Sequence, residues 1–204
     1  TLIIVMLVLT AAVGSQGRVS ADEAQAMWTV RDVAAPDATF TSALRTDLRE
    51  FVDRIQAQPQ PPLYFAALDA WTTLFGHQIE TARVLSVLIV AIGVILVGIA
   101  ARVDGISSWL AMLFAAALAI YAGTQAYVFA AVMATSALSW LGLRLFVKRP
   151  HLLRGSFYTL TAFGLLISAH VAPPLTLLHA WVAYREGRLR AWLIAFVPPV
   201  LIFM

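Results

Sequence analysis

Seven apolar runs follow one another along this chain, and after about residue 83 they leave almost no room between them for a soluble core. They fall at about residues 1–14, 84–101, 108–122, 126–147, 156–171, 174–184 and 191–204. A helix needs about 20 apolar residues to cross the hydrocarbon of a bilayer. The second and fourth runs meet that length, and the others need their flanks or a tilt. The chain is 61% hydrophobic and 12% charged, with a mean hydropathy of +0.83. Soluble domains are about 45–50% apolar and about 25% charged. The expected fold is therefore all-α. It is a polytopic membrane helical bundle of about seven transmembrane helices, forming one transmembrane domain over residues 1–204.

Residue 1 is Thr, and the chain closes inside the apolar run LIAFVPPVLIFM. The expectation is a piece of a longer protein. TLIIVMLVLTAAVGS reads as a first transmembrane helix. A signal peptide cleaved among Ala11 to Ser15 is the rival, and the basic segment it would need is not visible. There is no cysteine, which excludes disulfides and thiolate sites.

The net charge of +3 does not point to nucleic acid, because the basic residues sit in short loops between apolar runs. If residue 1 is cytoplasmic and the short run 63–76 does not cross, the inside loops hold Arg102, Arg144, Lys148, Arg149, Arg154, Arg185, Arg188 and Arg190. Asp104 and Glu186 are the inside acids. The segment 15–83 then lies outside with six Arg and nine acids, a positive-inside pattern. A crossing by 63–76 would move the loops 148–155 and 185–190 to the outside. These counts favour seven spans, with 15–83 on the outer side of the membrane.

The outer segment is expected to carry two or three interfacial helices. Ser20-Ala21-Asp22-Glu23 fits a capping box with a helix to about Val33. Thr41 or Ser42 could start a second helix, to about Gln56, whose Leu44, Leu48, Phe51, Val52 and Ile55 form one apolar stripe. The third is LYFAALDAWTTLFG, at 63–76, lying in the interface or partly re-entrant.

Asp22 and Glu23 are adjacent carboxylates just past the first apolar run. With SADEAQ (20–25), QPPLYFAALDAWTTLFG (60–76) and TARVLSVL (81–88), they carry a resemblance. The order of parts resembles the N-terminal membrane module of the GT-C glycosyltransferases, of the protein O-mannosyltransferase, aminoarabinose-transferase and family 39 type. Weaker matches lie at 119–146 and in GLLISAH, which ends at His170. The resemblance implies transfer of a sugar from a polyprenyl-phosphate donor to an acceptor on the outer face, with inversion. It implies Asp22 as the catalytic aspartate, Glu23 as its neighbour, and His170 at the outer end of a span. Two departures stand out. Gln60 replaces the usual His or Lys before Pro-Pro, and Thr124-Gln125-Ala126-Tyr127 lacks the charges expected of that loop.

Such a transfer needs a base for the acceptor's proton and a cation for the departing lipid phosphate. Asp22 suits the first role, and Glu23 would orient it or, with it, bind a divalent Mg or Mn ion. The same two acids also suit a helix N-terminus with no catalysis. Arg18, Arg83 and the flanking Arg31 could hold phosphate; solvated loop charges and, for Arg83, snorkelling at the interface are the alternatives. Gln60, Tyr64, Gln125, Tyr127 and His170 complete the candidate substrate contacts, and Tyr64 and Tyr127, with Tyr121, could equally belong to an aromatic belt. His179, mid-run, reads as a helix–helix hydrogen bond. His77 and His151 fall in loops, and the four His show no metal-ligand spacing. Gly93 and Gly98 allow close helix contact. The expected partners are a polyprenyl-phosphate sugar, membrane lipids and other membrane subunits. The alternative function is a catalytically inert, GT-C-like accessory subunit of a larger membrane complex.

Overall fold

A computed structural model describes residues 62–76, 78–123, 129–168 and 172–203. Every regular element among them is an α-helix: α1 (Pro62–Phe75), α2 (Ile79–Val103), α3 (Ser108–Gly123), α4 (Phe129–Lys148), α5 (Leu152–Leu166), α6 (Ala172–Arg185) and α7 (Leu189–Phe203). Two of them, α2 and α4, are long and apolar enough to cross a membrane. Among the described residues the all-α expectation holds, and each apolar run after residue 83 carries one helix. The run 1–14 and the two helices expected between Ser20 and Gln56 lie outside the described residues.

Helix ends depart from the apolar runs where capping chemistry intervenes. α2 starts at Ile79 rather than near 84, after an extended Gln78 (φ −91°, ψ 149°) and with Glu80 in its first turn. A carboxylate there suits the positive end of the helix dipole. α5 starts at Leu152 rather than 156, because His151 is its N-cap and its ring Nδ1 accepts from the Leu153 N–H at 3.3 Å. Two turns close with a left-handed glycine, Gly105 (φ 76°) and Gly187 (φ 67°). The next N–H reaches back to the last helical turn in each: Ile106 to Ala101 O at 2.8 Å and Arg188 to Ala183 O at 2.7 Å. This is the Schellman closure, for which glycine avoids the Cβ clash.

The core is spread along helix seams. α2 packs on α3 and α4, α4 continues onto α5, and α5 onto α7; α6 is held more lightly, by α7 and α4. Small residues set the closest approaches. A Cβ on Gly93 would lie 3.3 Å from Ala134 Cα, and one on Gly142 would lie 2.7 Å from Thr161 Oγ1 and 3.3 Å from Tyr158 Cα. Gly98 faces the flexible Met112 side chain. The expected close contacts of Gly93 and Gly98 are therefore present, against α4 and α3.

Polar contacts gather three turns at one end. Arg144 on α4 donates from Nε to Asp104 after α2 at 2.5 Å, and from Nη1 to Glu186 after α6 at 3.3 Å. Trp140 Nε1 also donates to Asp104, at 3.4 Å. Lys148 Nζ reaches Val103 O, and Arg154 Nη1 reaches Leu145 O. The loops expected on one side thus meet at one end of the bundle. α1 belongs to the other end, where Leu63 N–H approaches Ile167 O, past the end of α5, at 3.5 Å.

Two stability experiments follow from these contacts. Gly142→Leu should lower thermal stability in detergent by about 1–3 kcal/mol through overpacking. Gly164→Ala, where a Cβ meets nothing within 4 Å, should be neutral or stabilising by up to about 1 kcal/mol. Asp104→Ala should cost about 1–3 kcal/mol by stripping Arg144 and Trp140 of their acceptor. Glu186→Ala, at a more exposed carboxylate, should stay within about 1 kcal/mol.

Candidate functional site

Of the candidate site residues, Tyr64 and Arg83 lie in the described part, and the structure brings them to the same hairpin. α1 and α2 are joined through Gly76, whose φ of 98° suits only glycine well. α1 then runs back along the first turns of α2. Trp71 Nε1 donates to Thr81 O at 2.8 Å, and Tyr64 Oη shares a hydrogen bond with Ser86 Oγ at 3.0 Å. Tyr64, Phe65 and Leu68 pack on Ala82, Leu85 and Ala131. That burial explains the spacing of the apolar residues in PLYFAALDAW: positions 64, 65 and 68 form one helical face.

Ser86 lies seven residues into α2, about 10 Å below its first residue at 1.5 Å per residue. The start of α1 reaches that depth. The helix expected at 63–76 therefore packs alongside the first turns of α2.

Arg83 occupies the turn of α2 before Ser86, at the helical i, i−3 position, and is 7% exposed. That turn of α2 lies at the end of the bundle away from the basic loops, one of which follows the helix's last residue. Tyr64 likewise is 1% exposed, which removes it from an aromatic belt. Tyr64, Asp69 and Arg83 are each engaged by further contacts. A guanidinium in such a setting is costly without compensation, and it offers several oriented N–H donors to an anionic group.

Arg18, Asp22, Glu23, Gln60, Gln125, Tyr127 and His170 lie outside the described residues. Among the described residues, no group of three His, Asp or Glu side chains is arranged to hold a metal ion.

A second buried polar group sits nearer the basic end. Trp192 Nε1 donates to Tyr158 Oη at 2.7 Å, and Tyr158 Oη lies 3.1 Å from His179 Nδ1. The indole N–H is a donor only. Both hydrogen bonds form when Tyr158 donates its proton to Nδ1 and His179 carries its own on Nε2. His179 thus makes the helix–helix hydrogen bond expected of it. The chain joins α5, α6 and α7, and the Trp140 ring on α4 lies 5.8 Å from the His179 ring.

Ser86 was not singled out in the sequence. Its signal was slight: it is the one hydroxyl within the run RVLSVLIV (83–90), three residues after Arg83. Comparisons with family models, with curated proteins and with solved structures gave no match.

The Tyr64–Ser86 pair gives a direct test of the hairpin. Tyr64→Phe and Ser86→Ala should each destabilise the detergent-solubilised protein. The double variant should cost less than the sum, with a coupling of about 0.6 kcal/mol, as for hydrogen bonds between membrane helices. Strict additivity in a thermal melt would exclude the pairing.

Proposed function

We propose that this chain is the membrane module of a polyprenyl-phosphate-sugar-dependent glycosyltransferase. In this reading α2 to α7 all cross the membrane, and the run 1–14 supplies a seventh span. The basic end faces the cytoplasm of a bacterial cell, and α1 roofs the outer end. Large apolar side chains exposed along the helices support embedding: Leu152, Ile194, Leu177 and Phe114 are 81%, 77%, 72% and 70% exposed. In water, apolar area on that scale would be an association or aggregation surface.

The observation that carries the functional reading is the buried Arg83 beside the Tyr64–Ser86 contact, at the end opposite the basic loops. An acceptor hydroxyl oxygen attacks the anomeric carbon, forming the new glycosidic bond. The bond from that carbon to the polyprenyl phosphate oxygen breaks, and its electron pair leaves with the lipid phosphate. Asp22 takes the hydroxyl proton. Arg83 offsets charge on the departing phosphate, and Tyr64 with Ser86 fixes the α1–α2 hairpin beside it. Attack from the face opposite the leaving group inverts the anomeric centre.

The uncharged segment 124–127 and Gln60 favour a second reading, a GT-C-like accessory subunit that has lost the reaction. One experiment separates the two. The protein, in proteoliposomes, is given a radiolabelled polyprenyl-phosphate sugar, and transfer is followed. Asp22→Asn should lower transfer by about 10²–10⁴-fold, the usual scale for loss of a general base, with expression and melting unchanged. If the parent transfers sugar and the Asp22→Asn variant transfers it equally fast, Asp22 is removed from the mechanism. A parent that transfers nothing, and purifies in fixed ratio with other membrane proteins, is the accessory subunit.

A further inference from the structure

The basic end of the bundle has far more cation than its own fold consumes. It carries Arg102, Arg144, Lys148, Arg149, Arg154, Arg185, Arg188 and Arg190 against Asp104 and Glu186. Both acids are engaged by Arg144. No described carboxylate pairs with the other seven cations. Arg185 stacks over the Trp181 ring, 5.5 Å from its centre, and Arg154 spends one of its N–H groups on Leu145 O.

These cations are not evenly distributed. α5 and α7 both start at this end and run parallel, tied by Thr159 Oγ1 to Ala195 O at 2.7 Å and by the Trp192–Tyr158 hydrogen bond. Arg154 precedes Thr159 by the same five residues by which Arg190 precedes Ala195. The two guanidinium-bearing residues therefore lie at matching depth on neighbouring helices. Arg149 precedes α5 and Arg188 precedes α7.

Each of these helices continues from its arginine into exposed apolar surface. Arg190 heads a single helical face with Ile194, Val197 and Leu201, all exposed. On α5 the half-buried Arg154 donates to Leu145 O of α4 and lies about a quarter-turn round the helix from the exposed stripe of Leu153, Phe157 and Leu160. A ligand matching both features has an anionic head and long apolar tails. A nucleotide or an acidic peptide would match the arginines and leave the stripes uncovered.

We infer that Arg154 and Arg190, with Arg149 and Arg188 at the rim, bind the phosphate headgroup of an anionic phospholipid, whose acyl chains lie along α5 and α7. The lipid comes from the leaflet at the basic end. Guanidinium–phosphate pairing is bidentate and strong, and basic residues at this level of a bilayer attract anionic lipid. The inference rests on the bundle being membrane-embedded and is independent of any glycosyl transfer.

The test uses the full chain in mild detergent, with native mass spectrometry reading lipid retention. Phosphatidylglycerol should be retained in preference to phosphatidylcholine of the same chains, and less so as salt is raised. R154Q/R190Q should weaken phosphatidylglycerol binding by about 25-fold, at roughly fivefold per arginine, and R154K/R190K should restore most of it. If the glutamine pair proves misfolded by circular dichroism, the lysine pair and the parent's lipid preference decide. Equal retention of the two lipids, or unchanged retention in a folded R154Q/R190Q, overturns the inference. So does displacement of phosphatidylglycerol by millimolar inorganic phosphate, which would mark a small-anion site with no contribution from the tails.

Discussion

Arg144 holds the described bundle together at one end. It reaches Asp104 beyond α2 and Glu186 beyond α6 from a position within α4. One guanidinium therefore ties α4 to two turns whose carboxylates lie 40 and 42 residues away in sequence. Its planar fork holds donors in fixed directions towards two acceptors, where a lysine ammonium offers three donors on a flexible stem. Trp140 adds its N–H to Asp104 and lays its ring against His179, so the ion pair is continuous with the Tyr158–Trp192 chain on α5 and α7. α2, α4, α5, α6 and α7 all take part. In a low-dielectric setting each of these groups would be costly alone and is stable only when paired. That mutual dependence sets the register in which the helices meet.

With one end tied, helix length decides what happens at the other. At 1.5 Å per residue, α2 with 25 residues and α4 with 20 extend about 37 and about 30 Å. α5 and α6, with 15 and 14 residues, extend only about 22 and 21 Å on the same rise. Helices flush at the basic end cannot all be flush at the opposite end. α5 stops at Leu166, and the start of α1 sits there, Leu63 against Ile167 and Tyr64 against Ser86. α1 thus occupies the level that α5 does not reach and climbs along the remaining turns of α2.

Much of this architecture was legible in the sequence, for identifiable reasons. The helices after residue 83 follow from apolar runs, because burial and backbone satisfaction reward the same segments. Clustering of Arg102, Arg144, Lys148 and Arg185 at one end follows from alternation of runs and charged loops. The partners were not legible. Nothing local to Asp104 or Glu186 distinguishes an ion pair with Arg144 from a solvated loop charge, since the pairing depends on which helices are neighbours. His151 shows the other limit. It reads as a loop residue, and its capping role depends on backbone angles that periodicity does not carry. For the candidate site the division is sharper still. Asp22 and Glu23 were read from their spacing to PPLY, whereas Ser86, the partner of Tyr64, became visible only when α1 was laid on α2.

Arg83 shows why length and burial have to be considered together. An arginine at the start of an apolar run is ordinarily free to extend to the interface, and its long stem makes that inexpensive. Here α2 begins four residues earlier, α1 covers the face that carries Ala82, Leu85 and Ser86, and Arg83 is 7% exposed. A buried cation at that level is expensive to keep unless an anionic group repays it, and ionisable residues retained within membrane helices are functional candidates by default. Burial leaves less water to screen the Arg83 charge. In the proposed reading it is this burial, rather than the identity of residue 83 alone, that would give the arginine a role in phosphate recognition.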